Sequence, residues 1–384
     1  MIKCRSNIVN IVRRKKLETY RAAVIGCSRI GGFIDNEIIE SGRLSKSRLP
    51  ASHAAAYDAH DRVDLVACSD FREDVMEKFG ERYNIPKNRQ YTDYKEMVEK
   101  ENLDIVSVAT QPEPRAEITI WLANNGVKAI YAEKPMASSI SEANSMVEAC
   151  EANKVFFNLG TNRRWSKKYD AMKSVIDSGD LGKLKTLISY SFGSLFNTSS
   201  HWIDLLIHLN SDHKALWVQG NLTNSNGMIE GNHLKEDPSA EGVIKFENDV
   251  TAYCLQTNRG SEHEAILDNG TVAALSDGEE WFLRKNGPDD NTGRKGALIQ
   301  SNFPKFDDSR SSALRIVDDL VDSLDTGSEV KGGVQVALKS TEIIFAFIES
   351  SLLGGVKVEL PLKNNNYYLK RERAPRQPKY EAGN

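Results

Sequence analysis

The feature that most constrains this chain is a rhythm: up to about residue 160, short apolar runs alternate with longer stretches whose apolar residues recur at helical spacing. The runs 21–26, 63–70, 104–110, 127–132 and 155–159 read as buried strands, and the segments 51–60, 72–83, 113–125 and 141–153 between them as helices. Parallel strands need long crossovers, so the alternation predicts an α/β fold with a doubly wound parallel sheet. One stretch breaks the rhythm: IDNEIIESGRLSKSRLP, polar and ending in Pro50, is expected to be a loop inserted before the helix 51–60.

Beyond Gly182 the texture changes to strand-like runs separated by turn residues, among them KLKTLISYSFG, ALWVQGNL, AEGVIKF, VTAYCLQTN, EHEAILDNGTVAAL and EEWFLRK. Antiparallel pairing follows, with 247–249 and 268–270 as hairpin turns. Ser199 and Ser200 are good caps for the helix HWIDLLIHL, and the segments 314–324 and 334–353 are helical, the latter stopped by Gly354 and Gly355. At 384 residues the chain has room for two domains. The expected division is a basic extension 1–20, a first domain 21–150 built on the parallel sheet, a second α/β domain 151–362 with an open, mainly antiparallel sheet, and a polar, basic tail 363–384. The tail is either a solvated arm or one that lies on a partner subunit.

Fifty Lys and Arg against 54 Asp and Glu leave a net charge of −4, which argues against nucleic acid or an anionic membrane as partner. The five cysteines are scattered, without a CxxC pair, so neither a disulfide framework nor a metal site is expected and a reducing, cytoplasmic compartment fits. The longest apolar stretch, IIFAFIESSLL, carries Glu349 and falls short of a membrane span. The basic N-terminus lacks the apolar core of a secretory signal, with a transit segment as the alternative reading.

Three places carry chemistry. The first strand ends in Gly26-Cys27-Ser28-Arg29-Ile30-Gly31, a GxGxxG pattern with Ser at the middle glycine. The first Gly permits a tight turn, a small middle residue admits a pyrophosphate, and the last lets the helix pack closely. The second strand ends in Asp70, whose carboxylate would accept from ribose hydroxyls and repel a 2′-phosphate, favouring NAD over NADP, although Arg72 nearby leaves NADP possible. The fourth strand ends in Glu133-Lys134-Pro135. Ligands of such sheets bind outside the carboxyl ends of the strands, so Lys134 would reach into the crevice, where an ammonium can hold a substrate oxygen and exchange its proton.

Together with Thr110 and Gln111 after the third strand, NRRW at 162–165 and HWID opening a helix, these motifs resemble the Gfo/Idh/MocA oxidoreductases over about residues 20 to 362. The resemblance implies an N-terminal Rossmann domain and hydride exchange with the hydroxyl-bearing carbon of a sugar, sugar derivative or cyclitol. It implies catalytic roles for Lys134, His201 and Asp204, the carboxylate of Asp204 orienting the imidazole one helical turn away. It also implies cofactor contacts at Gly26, Ser28, Arg29, Ile30, Gly31, Asp70, Thr110, Gln111 and Glu133, and substrate contacts at Arg163, Trp165 and Asn197. Arg163 and its neighbour Arg164 read equally as surface charges at a helix start, and Trp165 as core. A homodimer or homotetramer through the antiparallel sheet is expected.

Two departures stand out. Enzymes similar to inositol dehydrogenase carry Asp four residues before the histidine, where this chain has Asn197; an amide can hold a hydroxyl but cannot act as a base. Arg115 stands where the family usually has His. An NAD-dependent glycosidase working through transient sugar oxidation, or a non-catalytic dinucleotide-binding sensor, are the alternative readings.

Overall fold

The computed structural model describes residues 18–41, 49–190, 193–288, 296–363, 365–371 and 376–381; residues 1–17 of the expected basic extension lie outside them. Six parallel strands form the first sheet: β1 (Tyr20–Ile25), β2 (Val63–Ser69), β3 (Gln90–Tyr91), β4 (Ile105–Val108), β5 (Ala129–Ala132) and β6 (Phe156–Leu159). Their order is β3-β2-β1-β4-β5-β6. The connections leave β1 for β2 on one side and return to β4 on the other, which opens a crevice at the carboxyl ends where the order reverses. β4 and β5 are buried along their whole length, the reason their sequences are apolar apart from Ser107. The helices between strands are α1 (Ile34–Ser41), α2 (His53–Asp58), α3 (Glu73–Tyr83), α4 (Tyr94–Glu101), α5 (Pro112–Asn124) and α6 (Ile140–Ala152).

Three expectations are corrected. The segment after the glycine turn is helical over α1 rather than a loop. Phe33 and Ile34 bury there, and the Asp35 carboxylate accepts the backbone N–H groups of Ala51 and Ser52 at 2.7 and 3.0 Å, so the polar string hides a buried anchor. The run 155–159 joins the first sheet as the rhythm predicts, β6 pairing with β5, so that sheet extends past the boundary expected at residue 150. A two-residue strand, β3, and the helix α4 also escaped the apolar pattern.

The second domain holds α7 (Lys167–Asp177), α8 (Ser200–Leu209), α9 (Ser312–Thr326) and α10 (Val334–Leu352) with strands β7 (Leu184–Ser189), β8 (Ala215–Thr223), β9 (Ile229–Glu230), β10 (His233–Leu234), β11 (Ser239–Phe246), β12 (Thr251–Cys254), β13 (His263–Leu267), β14 (Gly270–Leu275), β15 (Glu280–Asn286), β16 (Leu298–Ser301), β17 (Val358–Glu359) and β18 (Tyr368–Leu369). Nine of them form one open sheet in the order β16-β15-β14-β13-β7-β12-β11-β8-β17, with β7 and β12 its one parallel pair among the described residues. Both predicted hairpins, β11–β12 and β13–β14, are present. One face packs on α8 and α10; the other exposes a row across the strands in which Tyr253, Ile188, Glu264, Ala273 and Phe282 stand side by side. Helix α9 returns to the first domain, where Ile316, Val317 and Leu320 join the core of β1.

The described part of the tail is not a solvated arm. Leu369 is buried beside Ser138, Asn36 donates to the Lys379 carbonyl at 2.7 Å, and the Tyr380 ring meets Phe33 edge-on at 5.0 Å. Among the described residues no helix is long and apolar enough to cross a membrane.

Candidate active site

At the end of β1 the backbone turns through Gly26 with φ +94°, a conformation that excludes ordinary side chains, and a Cβ there would lie 2.8 Å from the Ala109 carbonyl oxygen. The turn therefore presses against the end of β4 and offers a bare backbone leading into the helical start Arg29–Phe33. Such a start presents unpaired N–H groups, which suit a pyrophosphate. Asp70 lies at the end of β2, its Oδ2 accepting the Cys27 N–H at 2.8 Å and its Oδ1 the Arg72 N–H at 3.0 Å. The carboxylate is thereby fixed beside the turn. A dinucleotide fits these residues: a cradle that a Cβ would fill, donors at a helix start, and an anchored carboxylate. The Arg29 side chain does not aim into it, being paired with both Glu37 oxygens at 2.7 and 2.8 Å. Ser28 and Ile30 are half-buried on the turn. Thr110 and Gln111 lead from β4 into α5, and Gln111 Oε1 accepts from Arg371 of the tail.

The loop after β5 carries Glu133 and Lys134. Lys134 Nζ donates to the Asn197 side-chain oxygen at 3.0 Å and to its carbonyl at 3.3 Å, so the two residues converge from different domains. Arg115, from α5, is 2% exposed, and its guanidinium donates to the carbonyls of Thr110 and Pro135. It clamps the loop on both sides of the crevice instead of facing a ligand, and burial lowers its pKa to about 10. Burial lowers the Lys134 ammonium too, reinforced by the positive charges of Arg115 and Arg163 and opposed by Glu133 and Asp237.

Asn197 sits in a helical turn, Leu195–Ser199, that runs straight into α8. This turn begins earlier than the serines predict. Its true cap is Asp237, forty residues away, whose carboxylate accepts the Phe196 and Asn197 N–H groups at 2.8 and 2.9 Å. Ser199 and Ser200 instead donate to the carbonyls of Gly193 and Phe196. His201 follows on α8. Burial and the positive charges of Arg163 and Lys134 push its pKa well below the ordinary imidazole value, and its Nδ1 finds no hydrogen-bond partner among the described residues.

The expected His201–Asp204 pair is not formed. Asp204 is 2% exposed, and both its oxygens accept from Arg164 Nε at 3.0 and 3.1 Å. Arg164, fully buried, also reaches Asp212 at 2.9 Å. A buried guanidinium demands anionic partners, and it takes the one carboxylate that helical spacing had assigned to the imidazole. Arg164 is thus neither a surface charge nor a ligand contact, and Asp204, whose pKa burial raises, is structural. Of its two readings, substrate contact and core, Trp165 takes the second: its indole belongs to the buried cluster of Ala313, Ile316 and Val317. Arg163 lies near enough to Lys134 and His201 for its charge to act on both; it is bonded to Asp277 at 2.5 Å, set over the Trp202 ring at 4.6 Å, and lines with Asn162, Tyr169 and Asp277 a neighbouring cleft of about 170 Å³ whose lining does not include Lys134, Asn197 or His201.

Glu133, assigned to the cofactor, proves 7% exposed and holds a partner that sequence reasoning missed, His53 of α2, at 3.2 Å. No local pattern marks His53 or Asp237, since each acts on a residue 80 or 40 positions away.

Residues 20–161 match the model of an oxidoreductase family described by its NAD-binding Rossmann fold. Over 142 residues, 37% of this chain and 42% of the relative, the sequence is 28% identical to the myo-inositol 2-dehydrogenase of Thermotoga maritima. It is 24% identical to the D-apiose dehydrogenase of Rhizobium rhizogenes over 72% of this chain and 84% of that one. The chain spans about half the length, or less, of the first curated relatives it matches. Its fold is similar to an inositol dehydrogenase homolog from Azotobacter vinelandii complexed with NADH and myo-inositol, at TM-score 0.68, 14% identity, 89% of this chain and 98% of that one.

Proposed function

We propose that this chain, whose residues 20–161 match the family model, is one of the Gfo/Idh/MocA oxidoreductases and a cytoplasmic NAD-dependent dehydrogenase acting on a hydroxyl-bearing carbon of a sugar, sugar derivative or cyclitol. The observation that carries the proposal is the meeting of Lys134, from the end of β5, with Asn197 and the turn into α8 that bears His201. Bound at the glycine turn, the dinucleotide supplies a nicotinamide that takes up or gives back a hydride. The chain's own residues handle the proton and the alcohol. Lys134 Nζ, as an ammonium, stabilises charge on the substrate oxygen; His201, neutral because its surroundings disfavour the cation, accepts the alcohol proton. Asn197 fixes the ammonium through its amide oxygen and can offer its N–H₂ to a further hydroxyl. Arg163 places a positive charge near both proton-handling groups. The buried thiols of Cys27, Cys68, Cys150 and Cys254 suit the reducing compartment proposed. The deciding experiment is a screen of sugars and cyclitols for NADH formation; absence of turnover with all of them, with NAD or NADP, would reject the reading.

The cofactor preference rests on Asp70. Asp70→Ala should weaken NAD binding more than NADP binding, because a carboxylate favours ribose hydroxyls and repels a 2′-phosphate. Calorimetric titration of both dinucleotides checks this; tighter NADP binding by the parent protein would reverse the assignment. A second copy of the chain is proposed to cover the outer row of Tyr253, Ile188 and Phe282, since a wide, partly apolar sheet face favours association. Sedimentation should show a dimer or larger species, and Phe282→Lys should shift it towards monomer.

A further inference from the structure

Beneath the catalytic loop runs a line of buried polar groups that the proposed chemistry does not use. The Ser107 hydroxyl lies 2.7 Å from the Tyr57 hydroxyl and 2.9 Å from His53 Nδ1, and His53 Nε2 lies 3.2 Å from Glu133 Oε1. The other carboxylate oxygen, Oε2, accepts the backbone N–H of Lys134 at 3.2 Å. Tyr57, Ser107 and His53 are fully buried. The imidazole is stacked on Tyr131, centroids 3.8 Å apart and planes inclined by 21°. Room for the carboxylate has been left on its far side, where a Cβ at Gly160 would come within 2.7 Å of Oε1.

A carboxylate at this depth is costly to keep charged unless hydrogen-bonded and paired. Burial alone would raise the Glu133 pKa. The hydrogen bond and charge of His53, with the charges of Lys134 and Arg115, bring it below its ordinary value instead. His53 is held by a chain of anchors that starts in the inserted segment: Asp35 of α1 fixes the Ser52 N–H, Ser52 caps α2, and His53 is the first residue of that helix.

We propose that His53 is a positioning residue, which keeps the Glu133 carboxylate charged and locked to the backbone of Lys134 and so sets the proton affinity of the catalytic ammonium. It touches neither substrate nor cofactor in this scheme and acts through Glu133. The groups that face Lys134 are Glu133 beside it, Arg115 of α5, Arg163 of the turn before α7, Asp237 before β11, and the neutral Asn197 and His201. Glu133 and Asp237 are the two that favour the ammonium, and Glu133 is the one whose charge depends on a single imidazole.

The inference rests on the proposed role of Lys134, yet its test needs no substrate. The Lys134 resonance of the full chain carrying ¹³Cε-lysine, assigned by its disappearance in Lys134→Met, is titrated by NMR in parent and variant. His53→Phe keeps the ring stacked on Tyr131 and removes the hydrogen bond, so Glu133 should take up a proton and the Lys134 midpoint should fall by roughly one pH unit. Glu133→Gln should give the same fall, and the double variant no more than either alone. Should His53→Phe not fold, Ser107→Ala, which frees the Nδ1 side of the ring, should give a smaller fall in the same direction. An unchanged Lys134 midpoint in a folded His53→Phe or Glu133→Gln protein overturns the proposal. Where the parent oxidises a sugar or cyclitol, the alkaline limb of its pH profile should move by the same amount. A parent without such turnover would reject the dehydrogenase reading while the NMR titration still decides the role of His53.

Discussion

Replacing Lys134 by Met should lower turnover by roughly 10²- to 10⁴-fold with little change in dinucleotide affinity, since a positioned proton-handling group is lost and the glycine turn is untouched. His201→Ala should cost about as much, by the same reasoning. The pH profile separates the two. His201 is held neutral by burial and by Arg163 and Lys134, so oxidation should be level through neutrality, its acid fall lying below the ordinary imidazole range. Asp204 cannot raise that value, because its carboxylate is bound to Arg164. In the proposed scheme Lys134 acts as the ammonium, and burial lowers its pKa from 10.5, so the alkaline fall should come earlier than for an exposed lysine. Lys134→Met should abolish that alkaline fall; Asn197→Asp should move it upward by placing a negative charge on the ammonium. Parental turnover in Lys134→Met would show that the proton is carried elsewhere.

Arg164→Met should destabilise the protein by about 3–5 kcal/mol, because it strands the Asp204 carboxylate, 2% exposed, without its cation. The thermal transition should fall by roughly 10 °C. The penalty should depend on pH in one direction. The folded-state pKa of Asp204 is already raised by burial and rises further when Arg164 is gone, and such a group stabilises the fold below its unfolded pKa and loses that contribution as pH rises through the folded one. Denaturant titrations should therefore find a smaller loss near pH 4 than at pH 7. An equal loss at both, or none, would mean that Asp204 is solvated or protonated in the parent.

How far the sequence reaches is clear from particular residues. The alternation of apolar runs determined the parallel sheet, and the Gly26 turn, Asp70 and Lys134 could be placed because each sits at the end of a strand and such ends share one edge of the sheet. The hairpins followed from turn residues adjacent in the chain. These are local signals, or local signals multiplied by a repeating topology. The resemblance added the pairing of the Glu133-Lys134-Pro135 loop with the helix bearing His201.

What only the tertiary structure decided involves charge and burial between distant segments. Helical spacing put Asp204 beside His201, but a buried guanidinium from forty residues upstream binds that carboxylate, and spacing cannot register such a competitor. The same blindness hid Asp237, which caps the turn of Asn197 in place of the adjacent serines, and His53, which holds Glu133 from the first residue of the helix that follows the polar insertion. In each case the residue's environment sets its role: a buried charge must find an opposite charge or several donors, and which partner reaches it is fixed by how the layers pack, not by its neighbours in sequence.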